Sequence, residues 1–233
     1  MNNSTKFIDI YNRIDKYLED NNDGLQRETF SKKIRNSKNK VVQQFKDELL
    51  SFGELRNAIV HTPSIEDKPI AEPHEETVKR ISELYEKITN PIKVFPKFAT
   101  SLITCKSDDF IYKVIKKMKD SSISQVPVFD DKNQIIEIIN NNTISRWLSD
   151  HADDEGNILI ENEMVKDLVP EIEFRHNYRF ISKFKSVYDA RDLFFDHINT
   201  NKNYLDAIFI THSGKTDEKL LGLITIEDIS NLE

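Results

Sequence analysis

"LLGLITIEDIS", residues 220–230, decides how the second half of this chain folds. An apolar run reaches Thr225 and stops, and Ile226 and Ile229 then follow at helical spacing around Glu227 and Asp228. That is a strand handing over to a helix. Threonine is a good residue for the first cap, and Asp228 falls in the first turn, where the helix dipole favours a carboxylate.

Working back from this stretch, "KLLGLIT" reads as a strand, "HSGKTDE" as a turn, "DAIFI" as a strand, "SVYDARDLFFDHI" as an amphipathic helix and "RFISKF" as a strand. The same order occurs earlier. "SLITC" is strand-like, "DDFIYKVIKKMKD" is a helix with Ile111, Val114, Ile115 and Met118 on one face, and "QVPVF" and "QIIEII" are strands around the turn "DDKN". "NTISRWL" closes that unit as a short helix, and the acidic stretch "SDHADDEGN" separates the two units. A repeated β-α-β-β-α unit implies two similar halves packed together, since each alone leaves one sheet face uncovered.

Glycine, two apolar residues, threonine, two variable residues and aspartate, here Gly222 to Asp228, resemble the closing signature of the cystathionine β-synthase (CBS) domain. "SQVPVFDDKNQIIEII" resembles the central hairpin of that family, and "LITCKSDDF" its opening strand, with Thr104 where the family often has threonine. The resemblance covers about residues 93–233, as units of about 93–150 and 165–233. It implies a CBS pair that binds an adenine nucleotide between its units and regulates an attached domain. The implied lining is Thr225, Asp228, Ile208 and Phe180, with Thr104 in the first unit. The first unit departs from the signature. Glu137, Asn140 and Thr143 stand at its glycine, threonine and aspartate positions, so that unit lacks the ribose-binding carboxylate.

Residues 1–91 have a different grammar. Phe7, Ile10, Tyr11, Ile14, Tyr17 and Leu18 form one helical stripe, and "NNDG" at 21–24 ends it. A polar helix is expected over Gln26–Arg35. A longer one carries Val41 to Ile59, interrupted by Gly53 and stopped by Pro63, and a last one carries Val78 to Ile88. The expected fold is therefore α+β: an all-helical domain over 1–91, then the pair over 92–233.

Near the end of the long helix lies "ELRNAIVHTP", residues 54–63. Arg56, Asn57 and His61 resemble the motif of the HEPN superfamily, many of whose members are dimeric, metal-independent ribonucleases. The resemblance implies His61 as acid/base, Arg56 as stabiliser of the phosphate and Asn57 as orienting group. Histidine transfers protons near neutral pH, and arginine holds a phosphorane with two parallel donors. The alternative is a helix end with ordinary capping residues, which makes the chain a non-catalytic sensor whose helical domain dimerises or docks a partner. Loss of nucleotide binding as well would leave an assembly module.

The remaining features bound these readings. The chain has 233 residues and a formal net charge of −7, which argues against general nucleic-acid binding and leaves room for a local basic patch. Residues 31–40 hold Lys32, Lys33, Arg35, Lys38 and Lys40 without an acid; such a run steers RNA or is a solvated face. Arg175, His176 and Arg179 meet a nucleotide's phosphates or decorate a connector. No metal site is expected. With Cys105 as the single cysteine, no leader and no membrane-spanning run, the expected location is cytoplasmic and the expected state a homodimer.

Overall fold

The computed structural model describes residues 2–21, 28–61, 71–158, 160 and 162–230. The chain forms two compact units, Met1–Ile92 and Lys93–Glu233. The expected turn at 22–24, the start of the second helix at Gln26 and the stop at Pro63 lie outside the described residues.

The first unit is helical: α1 (Asn3–Asn21), α2 (Phe30–Asn36), α3 (Lys40–Gln44), α4 (Lys46–His61) and α5 (Glu75–Thr89). Phe7, Tyr11, Ile14 and Leu18 recur at four, three and four residues and are all buried, so α1 turns a single stripe inward. Ile81, Leu84 and Ile88 do the same on α5, which packs along α1. The expected long helix is broken at Phe45, yet the Phe45 N–H still bonds Val41 O and the Leu49 N–H bonds Phe45 O. The break is thus a kink and not a loop. Gly53 does not interrupt α4. It lies under Phe30, whose Cδ1 would be 3.4 Å from an added Cβ, with the Tyr11 hydroxyl 3.9 Å away. The glycine lets three helices approach one another.

The second unit begins with a short turn of helix, α6 (Val94–Lys97), which the sequence pattern does not announce. Then follow β1 (Cys105–Lys106), α7 (Ile111–Asp120), β2 (Gln125–Phe129), β3 (Ile135–Asn140) and α8 (Asn141–Asp150). A connector carries α9 (Val165–Leu168) and a single 3-10 turn. The second repeat is β4 (Tyr178–Ser182), α10 (Val187–Asn201), β5 (Ala207–Thr211), β6 (Gly222–Ile224) and α11 (Ile226–Ser230). Each repeat makes one three-stranded sheet, β1-β2-β3 and β4-β5-β6, with a parallel first pair and an antiparallel second pair.

The registers align the repeats residue by residue. Cys105 pairs with Val128 as Ile181 pairs with Ile210, and Val128 pairs with Glu137 as Ile210 pairs with Gly222. Strand β5 shows the period of two: Ile208 and Ile210 join the core beneath α10, while Ala207 and Phe209 meet Ile138 of the other sheet. That second layer of contacts, with Tyr178, Phe180 and Leu223 at its margin, holds the sheets face to face. The expected strand "SLITC" is paired only at Cys105; residues 100–104 run unpaired beyond it.

Candidate functional sites

In the helical unit, the last two turns of α4 bring Arg56, Asn57 and His61 together. Arg56 Nη1 lies 2.9 Å from His61 Nε2 and 3.3 Å from Asn57 Oδ1. Guanidinium can only donate, so Nε2 is the acceptor in this contact. Asn57 and His61 are exposed, while Arg56 is half-buried with its guanidinium carbon 5.9 Å from the centre of the Tyr11 ring. Arg56 Nε is buried and has no hydrogen-bond partner. Tyr11 is pushed up to about 12, chiefly by burial and further by Asp15, with Arg56 opposing. Beside the cluster opens a cleft of about 450 Å³, lined among others by Tyr11, Asp15, Arg35 and Arg56. The basic run is less free than its composition suggests. Lys33 is buried against Asp15 and Glu19 at 2.9 and 3.2 Å, and Lys32 pairs with Glu28.

In the second unit, Thr225 and Asp228 form one hydrogen-bonded pair. The Asp228 carboxylate accepts the backbone N–H of Thr225 at 2.8 Å and its hydroxyl at 3.0 Å. The threonine hydroxyl thus donates to the aspartate, and the aspartate holds the backbone N–H at the start of the helix. Thr225 lines a groove of about 240 Å³ whose other wall comes from the first repeat, including Ser101, Ser124 and Pro127.

The crossing follows from the path of the connectors. Ala99 bridges Gly222 across the sheets, and His176 reaches Glu137 in the reciprocal place. Each repeat's leading segment thus lies on the closing strand of the other.

Residues 98–150 match the family model of the CBS domain. They contain β1 to α8, the first repeat in full. None of the curated proteins is significantly similar to the chain. Among solved structures, a signal-transduction protein with CBS domains from Burkholderia ambifaria MC40-6 is 20% identical, covering 59% of this chain and 85% of that one, with a TM-score of 0.41. CBSX2 in complex with AMP is 14% identical over 57% and 90% of the two chains, with a TM-score of 0.39. A CBS domain pair in complex with 5′-methylthioadenosine and S-adenosyl-L-methionine is 18% identical over 60% and 94%, with a TM-score of 0.41.

Two residues expected in one cleft with Thr225 lie outside the groove that it lines. Ile208 is fully buried in the core of the second repeat and offers no surface. Phe180 packs in the layer between the sheets, 5.9 Å from Tyr178 and 5.6 Å from Phe209. Thr104, expected in the first unit, lines a separate groove of about 1030 Å³ with Lys106, Lys132 and Lys219. Phe180 and Ile208 share the repeat of Thr225, whereas the groove that Thr225 lines takes its other wall from the first repeat. Ser101 and Ser124 went unnoticed, although counting back from the paired strands reaches them.

The basic residues of the connector and the start of β4 have partners in the connector and in the strands beside it. Arg175 donates to Val169 O, Arg179 to Tyr178 O, and His176 to Glu137. Among the described residues no cluster of three or more His, Cys, Asp or Glu side chains is arranged to hold a metal, and no helix is long and apolar enough to cross a membrane.

Proposed function

We propose that this chain is a nucleotide-sensing regulatory protein. An adenine nucleotide bound at the Thr225–Asp228 groove controls a HEPN-like helical domain, which cleaves RNA without metal through Arg56, Asn57 and His61. The observation that carries the sensing half is the hydrogen-bonded pair of Thr225 and Asp228, whose threonine lines a groove with walls from both repeats. Asp228 Oδ2 accepts both bonds of the pair, and the other carboxylate oxygen suits a ribose hydroxyl.

The nuclease half rests on the 2.9 Å contact between Arg56 and His61, with both neighbours, Asn57 and His61, open to solvent. A phosphate on Arg56 draws the guanidinium away from Nε2 and frees that nitrogen to take the proton of a 2′-hydroxyl. The 2′-oxygen then bonds to phosphorus and the P–O5′ bond breaks, giving a 2′,3′-cyclic phosphate. The leaving 5′-oxygen receives a proton from an imidazolium supplied by a second copy in a two-fold dimer. Arg56 stabilises the negative charge that accumulates on the phosphorane, and Asn57 fixes its guanidinium.

One observation favours a second reading. Arg56 packs on Tyr11 and bonds Asn57 and His61 through one nitrogen, as it would in a helix end that only dimerises or docks a partner. Cleavage of a mixed RNA pool in EDTA, by wild type and His61→Ala, with and without AMP, separates the two. Cleavage lost in the variant establishes the nuclease, and absence of cleavage from wild type in all conditions leaves the docking domain. Light scattering at micromolar concentration tests the two-fold site, which a monomer would exclude.

A further inference from the structure

The two repeats should form two equivalent clefts, and they do not. The strand registers place Asn140 where Thr225 stands, Asn177 where Ser101 stands and Asp206 where Ser124 stands. At the Thr225 cleft the three positions carry short hydroxyl side chains around an open groove. At the other cleft they carry two amides and a carboxylate, and these bond to one another. Asn140 Nδ2 donates to Asp206 Oδ1 at 2.9 Å, and Asn177 Nδ2 donates to Asp206 Oδ2 at 2.9 Å.

More bonds tie the same residues down. Gln125 Nε2 donates to the carbonyl of Asp206 at 2.8 Å, and the Asp206 N–H bonds Asn177 O at 2.9 Å. Asn140 Oδ1 accepts the N–H and hydroxyl of Thr143, the position of Asp228 in the other repeat. Asn177 is almost fully buried. Both carboxylate oxygens of Asp206 are thus spent on the positions that would meet a ligand, one from the closing strand of the first repeat and one from the leading segment of the second.

We propose that Asp206 is an internal ligand: its carboxylate occupies the first cleft and restricts the chain to one nucleotide, bound at the Thr225 cleft. The inference rests on the nucleotide reading of that second cleft. Its consequence is a polarised pair. One end of the interface between repeats is fastened permanently by the chain itself, and only the other end answers to nucleotide.

Titration calorimetry on the full chain, with AMP and with S-adenosylmethionine as probes, tests this. Wild type is expected to bind one molecule per chain, and Asp228→Ala to lose binding by about tenfold or more with no residual site. The variant Asn140→Thr/Thr143→Asp/Asn177→Ser/Asp206→Ser, which copies the open cleft with its carboxylate, is expected to gain a second site; Thr143→Asp/Asp206→Ser serves if the fourfold variant does not fold by circular dichroism. Two molecules on wild type, or half the binding surviving in Asp228→Ala, overturns the internal ligand and leaves the nucleotide reading standing. No binding by wild type overturns the nucleotide reading, and the copied cleft then decides Asp206: binding gained sustains the proposal, and none ends it.

Discussion

Glu137 accepts the backbone N–H of His176 at 2.7 Å, and with it fastens the leading segment of the second repeat to the closing strand of the first. The reciprocal place is Gly222, where the leading segment of the first repeat comes so near that an added Cβ would lie 2.1 Å from Phe98 O. One crossing is made by backbone proximity, which only glycine permits. The other is made by a side chain, which requires that glycine be replaced. Gly222→Ala must push the backbone of Phe98 away and is expected to cost about 2–4 kcal/mol. Glu137→Ala removes the acceptor of that N–H and is expected to cost about 0.5–1.5 kcal/mol. Urea denaturation followed by circular dichroism measures both, and a neutral Gly222→Ala would show that the crossing yields freely.

Lys33 is only 4% exposed at its side chain, yet it carries the charge that holds Asp15 of α1 and Glu19 one turn on. Its ammonium gains more from the two carboxylates than it loses by burial, so its pKa is raised. Both acids are about a third or more exposed, so water screens much of the attraction. Lys33→Ala is expected to cost about 1–3 kcal/mol, and Lys33→Met less, because it keeps the packed stem. Equal losses in the two variants would assign the whole effect to charge.

The sequence made the alternation of strands and helices legible because each element carries its own period. The stripe of α1 and the short apolar run of β5 need no partner to be recognised. Thr225 with Asp228 and Arg56 with His61 were legible for the same reason: both pairs lie within one turn or so of chain. What remained hidden depends on distant segments. The Asn140–Asp206 bond joins residues 66 apart, and Ser101 and Ser124 reach Thr225 only through the crossing of the connectors. Lys33 read as part of a basic face because its acids lie on a different helix.

Cys105 is the single cysteine, and its thiol is pushed up to about 12, chiefly by burial and secondarily by Asp109. Thiolate is the reactive form, so the group should be inert at neutral pH. A disulfide reagent at pH 8 is expected to find almost no thiol in the native chain and one per chain in guanidinium. Rapid reaction of the native protein would place Cys105 at an accessible surface.

Arg56→Lys keeps the charge and removes the fork. A lysine cannot hold Asn57 and a phosphate in the same plane, and it forfeits the packing on Tyr11. Under the nuclease reading, cleavage is expected to fall by about 10²-fold or more, with the fold retained by circular dichroism. Unchanged cleavage would remove Arg56 from the reaction.

His197 gives the second repeat a pH dependence with a definite sign. It is nearly buried on α10, where Asn201 Nδ2 donates to its Nδ1 at 2.8 Å and Arg179 approaches the same nitrogen at 3.4 Å. Nδ1 therefore carries a lone pair, and the ring is neutral in the fold. Burial foremost, then Arg179, lowers its pKa below the ordinary 6.5, against smaller opposing effects of Asn203 and Asp206. Above pH 6.5 neither the folded nor the unfolded state is protonated at this group, and it contributes no slope. Below 6.5 the unfolded chain takes up the proton first, so stability falls as pH falls, until the folded histidine also titrates. The midpoint of urea unfolding is expected to drop between pH 7 and 5.5, and the drop to shrink in His197→Gln, whose amide keeps an acceptor for Asn201. A variant that keeps the full slope would assign it to other groups.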